Sequence, residues 1–210
     1  MKLEALLAGS GFHSDTSGKA FNEYAAAAIL LVDNGWTREK MKECLGKDGI
    51  LPSGDSFTVV NDAANRTIRG ATFRDAGLPR MPMLRDTTPV GSESLDIGAL
   101  ILPPSAALVV AQSRLRAGDQ DDAVRFARAA LAVGLHLMLS ENCIVGAAGS
   151  WSAHRAIKFL QDMAMDQGDA ASVETYSAAQ IALDEEFRAL KQNCESELSF
   201  LDIIDNVYGP

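Results

Sequence analysis

Four side chains between positions 151 and 158 carry the most legible chemistry in the sequence. Trp151, His154, Arg155 and Lys158 recur at helical spacing, so about 100° per residue gathers them on one side of a helix. Trp and Arg are common anchors of binding surfaces. Cationic groups beside an aromatic ring can give an anion charge-assisted hydrogen bonds. In a chain of formal net charge −9 such a cluster is a local exception. These four are therefore the candidate ligand- or partner-binding residues, and the ligand they suit is acidic or carboxylate-bearing. The competing reading buries Trp151 in the core and pairs Lys158 with Asp162, one turn on, across a solvated face.

Other reactive residue types assemble less well. His136 lies in the most apolar stretch of the chain, where a satisfied core histidine is the expected role. His13 sits in a Gly/Ser/Thr loop, Gly9–Lys19, and neither histidine completes a Ser/His/Asp or His/Cys arrangement of readable spacing. Ser17-Gly18-Lys19 invites a phosphate-loop reading. The motif needs a glycine five residues before Gly-Lys and a hydroxyl after Lys, and here His13 and Ala20 stand in those places. Asp184-Glu185-Glu186 reads as a solvated helix face rather than an acid–base pair. Cys44, Cys143 and Cys194 are far apart and odd in number, without metal-ligand spacing. Three reduced thiols are the expectation, one disulfide plus a spare thiol the alternative. No catalytic set, metal site or cofactor site follows from these residues.

Composition narrows the function classes. The chain has 210 residues, 47% of them apolar and 22% charged, which is ordinary globular usage and enough for a sizeable core. A net charge of −9 and few aromatics argue against a nucleic-acid partner, which requires clustered Lys and Arg or a stacking surface. No apolar run reads as a membrane span. Met1–Gly9 is short and carries Glu4, unlike a signal peptide, so the default compartment is cytoplasmic, with a processed exported chain as the alternative.

The elements that must position the four residues read as helices. Lys2–Leu7 is a short amphipathic piece. Phe21–Asp33 is Ala-rich and stops at Asn34-Gly35; Thr37 caps a short helix to Leu45, which Gly46 ends. Residues 55–76 place Phe57, Val60, Ala64, Ile68 and Ala71 at helical spacing, although Thr58–Val60 and Thr67–Arg69 would also suit a hairpin; the helix is favoured. Residues 78–104 hold five of the seven prolines and read as an irregular connector. Ser105 begins a helix that Gly118 breaks. Asp119 or Asp121 caps the next, which runs to about Met138 and is apolar nearly all round in its second half. Ser140 caps a third helix to about Gln167, whose other side carries Gly146, Gly149, Ala153, Ala156, Leu160 and Ala164, a ridge small enough for close helix packing. Gly168-Asp169 turns into a fourth, Ala171 to about Cys194, and Leu198, Leu201, Ile204 and Tyr208 suggest a last short helix.

Residues 116–133 and 166–183 align fifty positions apart, with Gly118-Asp119 on Gly168-Asp169, Phe126 on Tyr176, Ala129 on Ala179 and Leu131 on Ile181. Residues 104–137 resemble a tetratricopeptide-repeat (TPR) unit, a helix–turn–helix of thirty-four residues. Gly118, Ala123, Ala127, Ala130-Leu131 and the pair Val110-Ala111 carry the likeness; Ala107, Arg114 and Leu135 depart from it. The second unit keeps Leu160 and Gly168 but has Val173 and Gln180 where the family prefers Ala. The resemblance is to a degenerate TPR-like α-solenoid over residues 104–195, and it implies a protein- or peptide-binding scaffold. The expectation is thus an all-α protein with an N-terminal helical region (1–77), a Pro-rich connector (78–104) and a TPR-like region (105–210). The leading function is a non-enzymatic module for a protein or peptide partner of acidic character. The alternatives are a helical enzyme or anionic small-molecule binder, its pocket between the N-terminal region and helix 141–167, and a self-associating homo-oligomeric subunit.

Overall fold

The structure, a computed structural model, describes residues 15–46, 49–77, 97–140 and 142–193. The helix expected at Lys2–Leu7, His13, connector residues 78–96, Cys194 and the last short helix lie outside the described residues. The fold is all-α. Strand β1 (Asp15–Lys19) leads into α1 (Ala20–Asp33), followed by α2 (Arg38–Leu45), α3 (Gly54–Thr72) and strand β2 (Phe73–Asp75). Then come α4 (Ile97–Leu100), α5 (Leu102–Arg116), α6 (Gln120–Met138), α7 (Cys143–Asp166) and α8 (Ala170–Asn193).

In α1, Ala20, Tyr24, Ala27, Ala28 and Leu31 are buried, one stripe at i, i+4, i+7, i+8 and i+11. Gly35, at φ +70°, closes it: its N–H donates to Val32 O and that of Trp36 to Leu31 O, the paired bonds of a glycine helix ending. The doubtful stretch 55–76 is a helix over Gly54–Thr72, because Val60, Ala63, Ala64, Thr67, Ile68 and Ala71 bury one continuous face. Three expectations need correction. Residues 15–19 are a strand, pairing in parallel with β2 (Asp15 opposite Phe73, Lys19 opposite Asp75), not part of a loop. The first repeat helix starts at Leu102, before its prolines. Pro103 and Pro104 occupy its first turn, where the missing N–H groups have no acceptor to lose. The cap of α7 is Asn142, whose side chain accepts from the N–H groups of Ile144 and Val145, while the Ser140 hydroxyl accepts from Asn142 N.

The helices α5 to α8 follow one another as antiparallel neighbours, and α6 is the central one, packed against α3, α5 and α7. A single cluster of buried side chains runs from Ala27 of α1 to Leu183 of α8. The stretch Gly98–Arg116 is long and apolar enough by composition to cross a bilayer, but most of it is buried among the other helices, where a core helix belongs. The two turns fifty residues apart are the same turn. Gly118 (φ +80°) and Gly168 (φ +69°) donate to Leu115 O and Met165 O. Asp119 N and Asp169 N donate to Arg114 O and Ala164 O, both at 2.9 Å. Each aspartate then caps the following helix, accepting from Asp122 N in one case and Ser172 N in the other.

The small-residue ridge of α7 meets α6 backbone to backbone. A Cβ on Gly149 would sit 2.6 Å from Gly134 O and 2.7 Å from Met138 N; one on Gly134 would sit 2.6 Å from Ala153 N. Only glycine lets the two backbones approach this closely. The same crossing sets which side of α7 remains available to the candidate site.

Candidate functional site

The close contact with α6 turns the opposite side of α7 outward, and Trp151, His154, Arg155 and Lys158 lie there, half-buried except for the exposed Lys158. Their partners differ. Arg155 packs over Trp151, its guanidinium carbon 4.7 Å from the ring centroid. A second guanidinium reaches the same ring from another part of the chain: Arg38, the first residue of α2, lies 5.9 Å from the centroid. Thr37 fixes that helix start by accepting from Lys40 N. Each stacking contact is worth about 0.5–2 kcal/mol, more as water is excluded. Burial holds the Arg155 guanidinium below its usual range, and the like charge of Arg38 pushes the same way. Among the described residues Arg155 enters no ion pair.

His154 turns towards α8. Its Nε2 is 2.7 Å from Asp184 Oδ1 and its Nδ1 is 2.7 Å from the carbonyl oxygen of Ser150. The Asp184 carboxylate and the Ser150 carbonyl thus anchor the imidazole from two sides. Gln180 also donates to Asp184 at 3.4 Å, and the Phe187 ring stands edge-on to the imidazole. Lys158 pairs with Asp162 at 3.4 Å, with 76% of its side chain exposed, as the solvated-face reading has it. The acidic run is thus not simply a solvated face, because Asp184 is engaged across the α7–α8 interface.

Ser150, His154 and Asp184 include the residue types of a hydrolytic triad, and the Ser150 hydroxyl is 3.2 Å from Nδ1. The geometry does not activate it. Nδ1 is closer to the carbonyl of the same serine, and Ser150 is only 2% exposed, so no substrate carbonyl reaches the hydroxyl. The chain of contacts is a strut between α7 and α8.

The deepest polar contact lies elsewhere. His136 is a core histidine, as expected, fully buried, with its Nδ1 2.7 Å from Tyr24 Oη. Gly70 makes this possible: a side chain there would run into the Tyr24 ring. Burial raises the Tyr24 phenol well above its ordinary range. Cys44 is free and buried, which raises its thiol. Cys143 is disulfide-bonded, which corrects the expectation of three reduced thiols. No cluster of three or more His, Cys, Asp or Glu that could hold a metal occurs among the described residues.

Arg38 and Asp184 are the residues that sequence reasoning missed. Each approaches α7 from a distant segment, and no periodicity within α7 signals them. The chain matches no family model, no curated protein and no solved structure.

Proposed function

We propose that this protein is a non-enzymatic binding module that takes an acidic segment of a protein partner on the outward side of α7. The observation that carries the reading is the pair of guanidiniums, Arg155 and Arg38, set on Trp151 with no carboxylate on Arg155 among the described residues. A half-buried cation beside a like charge is stabilised by an incoming anion, and arginine offers that anion a planar, multi-donor face. Trp151 adds rigid apolar area next to the charge. The matching turns at Gly118 and Gly168 support reading α5–α8 as two related hairpins, and hence the TPR-like scaffold that the sequence resembles.

An anionic small molecule is the second reading. It is favoured by the same cluster, because Arg38 comes from the N-terminal region and Arg155 from the helix spanning 143–166, so the charges converge at that junction. The disulfide at Cys143 favours an oxidising compartment over the cytoplasm.

The test is an array of immobilised peptides of graded acidity, probed in parallel with the parent protein and with Arg155→Gln. Retention of acidic peptides by the parent and its loss in the variant supports the module. Equal retention by both removes the α7 face from consideration.

A further inference from the structure

The face that carries Trp151 and Arg155 lies near the point where the chain leaves α8. Helices α7 and α8 run antiparallel: His154 meets Asp184 at 2.7 Å and Leu190 lies against Gly146, so later residues of α8 face earlier residues of α7. Asn193, the last residue of α8, therefore stands beside the first turns of α7. Along α7, Trp151 follows Gly146 by about 8 Å and Arg155 by about 14 Å. Residues 194–210 come next in the chain, and their number reaches about 25 Å as a helix or about 55 Å extended. Their chemistry is the one the site takes. The segment carries Glu195, Glu197, Asp202 and Asp205 and no Lys or Arg, with Leu198, Leu201, Ile204 and Tyr208 set among the acids. The other long stretches outside the described residues do not match it. Residues 1–14 balance Lys2 against Glu4, and residues 78–96 mix Arg80 and Arg85 with Asp86, Glu93 and Asp96.

Resting on the binding reading above, we propose that residues 194–210 are the intramolecular occupant of the α7 face, so that the chain covers its own site with an acidic segment and an external acidic partner must displace it. The segment brings carboxylates to the half-buried Arg155 guanidinium and apolar side chains to the Trp151 ring beside it. A segment tethered this close acts at about millimolar effective concentration. With an intrinsic Kd of about 0.1 mM it masks the site about tenfold.

The probe is residues 195–210 as a fluorescent peptide, acetylated and amidated, followed by anisotropy. It is titrated into the full chain, into a full-chain variant with the segment neutralised (Glu195→Gln/Glu197→Gln/Asp202→Asn/Asp205→Asn), and into each of these with Arg155→Gln added. The neutralised chain should bind the probe about tenfold tighter than the parent, and Arg155→Gln should remove that gain. Equal affinity of the parent and the neutralised chain, weakened in both by Arg155→Gln, overturns the masking and leaves the binding reading intact. A gain that Arg155→Gln leaves in place overturns the masking too, because the lower net charge alone then accounts for it. Sedimentation of the same samples separates a second source of the segment. A parent that dimerises where the neutralised chain stays monomeric assigns the segment to another copy and overturns docking within the chain. Binding of the probe to none of the four proteins, or to all four alike, overturns the binding reading as well.

Discussion

Alanine at Gly149 tests the crossing on which the α7 surface depends. Its Cβ would stand 2.6 Å from Gly134 O, 2.7 Å from Met138 N and 2.8 Å from Leu137 Cβ. Relaxed carbon–oxygen approach is about 3.3 Å, so α6 and α7 must separate by roughly 0.7 Å. Two of the three opposing atoms are backbone and cannot rotate away. Overpacking of this kind costs about 1–3 kcal/mol. Against it stands the helix-propensity gain of Gly→Ala, about 1 kcal/mol. The net for Gly149→Ala is a loss of roughly 1–2 kcal/mol, and Gly149→Leu should cost about 3 kcal/mol or more. Gly146 supplies the internal control. It lies one turn away on the same helix, but a Cβ there would meet only the methyl end of Leu190, at 2.9 Å. That tip can move, so Gly146→Ala should be neutral or stabilising by up to about 1 kcal/mol. The propensity term is common to both substitutions and cancels in the difference. Urea denaturation followed by helical circular dichroism reads it directly, and in a chain of 210 residues 1 kcal/mol moves Tm by about 2–4 °C. A Gly149→Ala protein as stable as the Gly146→Ala protein would refute the backbone-to-backbone contact.

Two further outcomes follow from named contacts. Tyr24→Phe should lower stability by about 1–3 kcal/mol, because it leaves a buried His136 nitrogen without its 2.7 Å partner; a loss below about 0.5 kcal/mol in equilibrium unfolding would argue that the bond contributes nothing net. The Asp169 carboxyl is held below its ordinary range, first by the Ser172 side chain and then by Ser172 N–H, so its contribution is present above the ordinary carboxylate range and is lost as pH falls through the lowered value. Asp169→Asn keeps a capping oxygen, so the parent should melt higher than this variant at neutral pH and the two should converge in acid; a gap independent of pH would count against the charge.

Some of this architecture was legible in the sequence because it is local. The endings at Gly35, Gly118 and Gly168 need a left-handed residue at one position, and the helix over Gly54–Thr72 needs only the spacing of its own apolar residues. The small residues of α7 likewise announced a close approach, and Gly149 and Ala153 lie at one. What was hidden depends on distant chain. The strand Asp15–Lys19 has no apolar alternation and exists by pairing with Phe73–Asp75. Prolines 103 and 104 read as breakers, yet a first turn accepts them. At the site, helical spacing did put four side chains on one side of α7. It could not say that Asp184 and Asp162 would pair with His154 and Lys158, or that Arg38 would arrive from α2 to adjoin Arg155 on the Trp151 ring.

The Tyr24–His136 bond joins positions 112 residues apart, whereas α5, α6, α7 and α8 each pack on the next helix in the chain. Contacts of short separation form early, and closing a long loop must precede any reward from the distant pair. The expected order is hairpins first and docking of α1, which packs chiefly on α3 and α5 and reaches α6 through Tyr24, last, on the native side of the rate-limiting barrier. Loss of the Tyr24 hydroxyl would therefore act on escape from the native state rather than on the search for it. In stopped-flow measurements the Tyr24→Phe protein should unfold faster and refold at the parental rate; a slowed refolding limb would put the docking inside the nucleus instead.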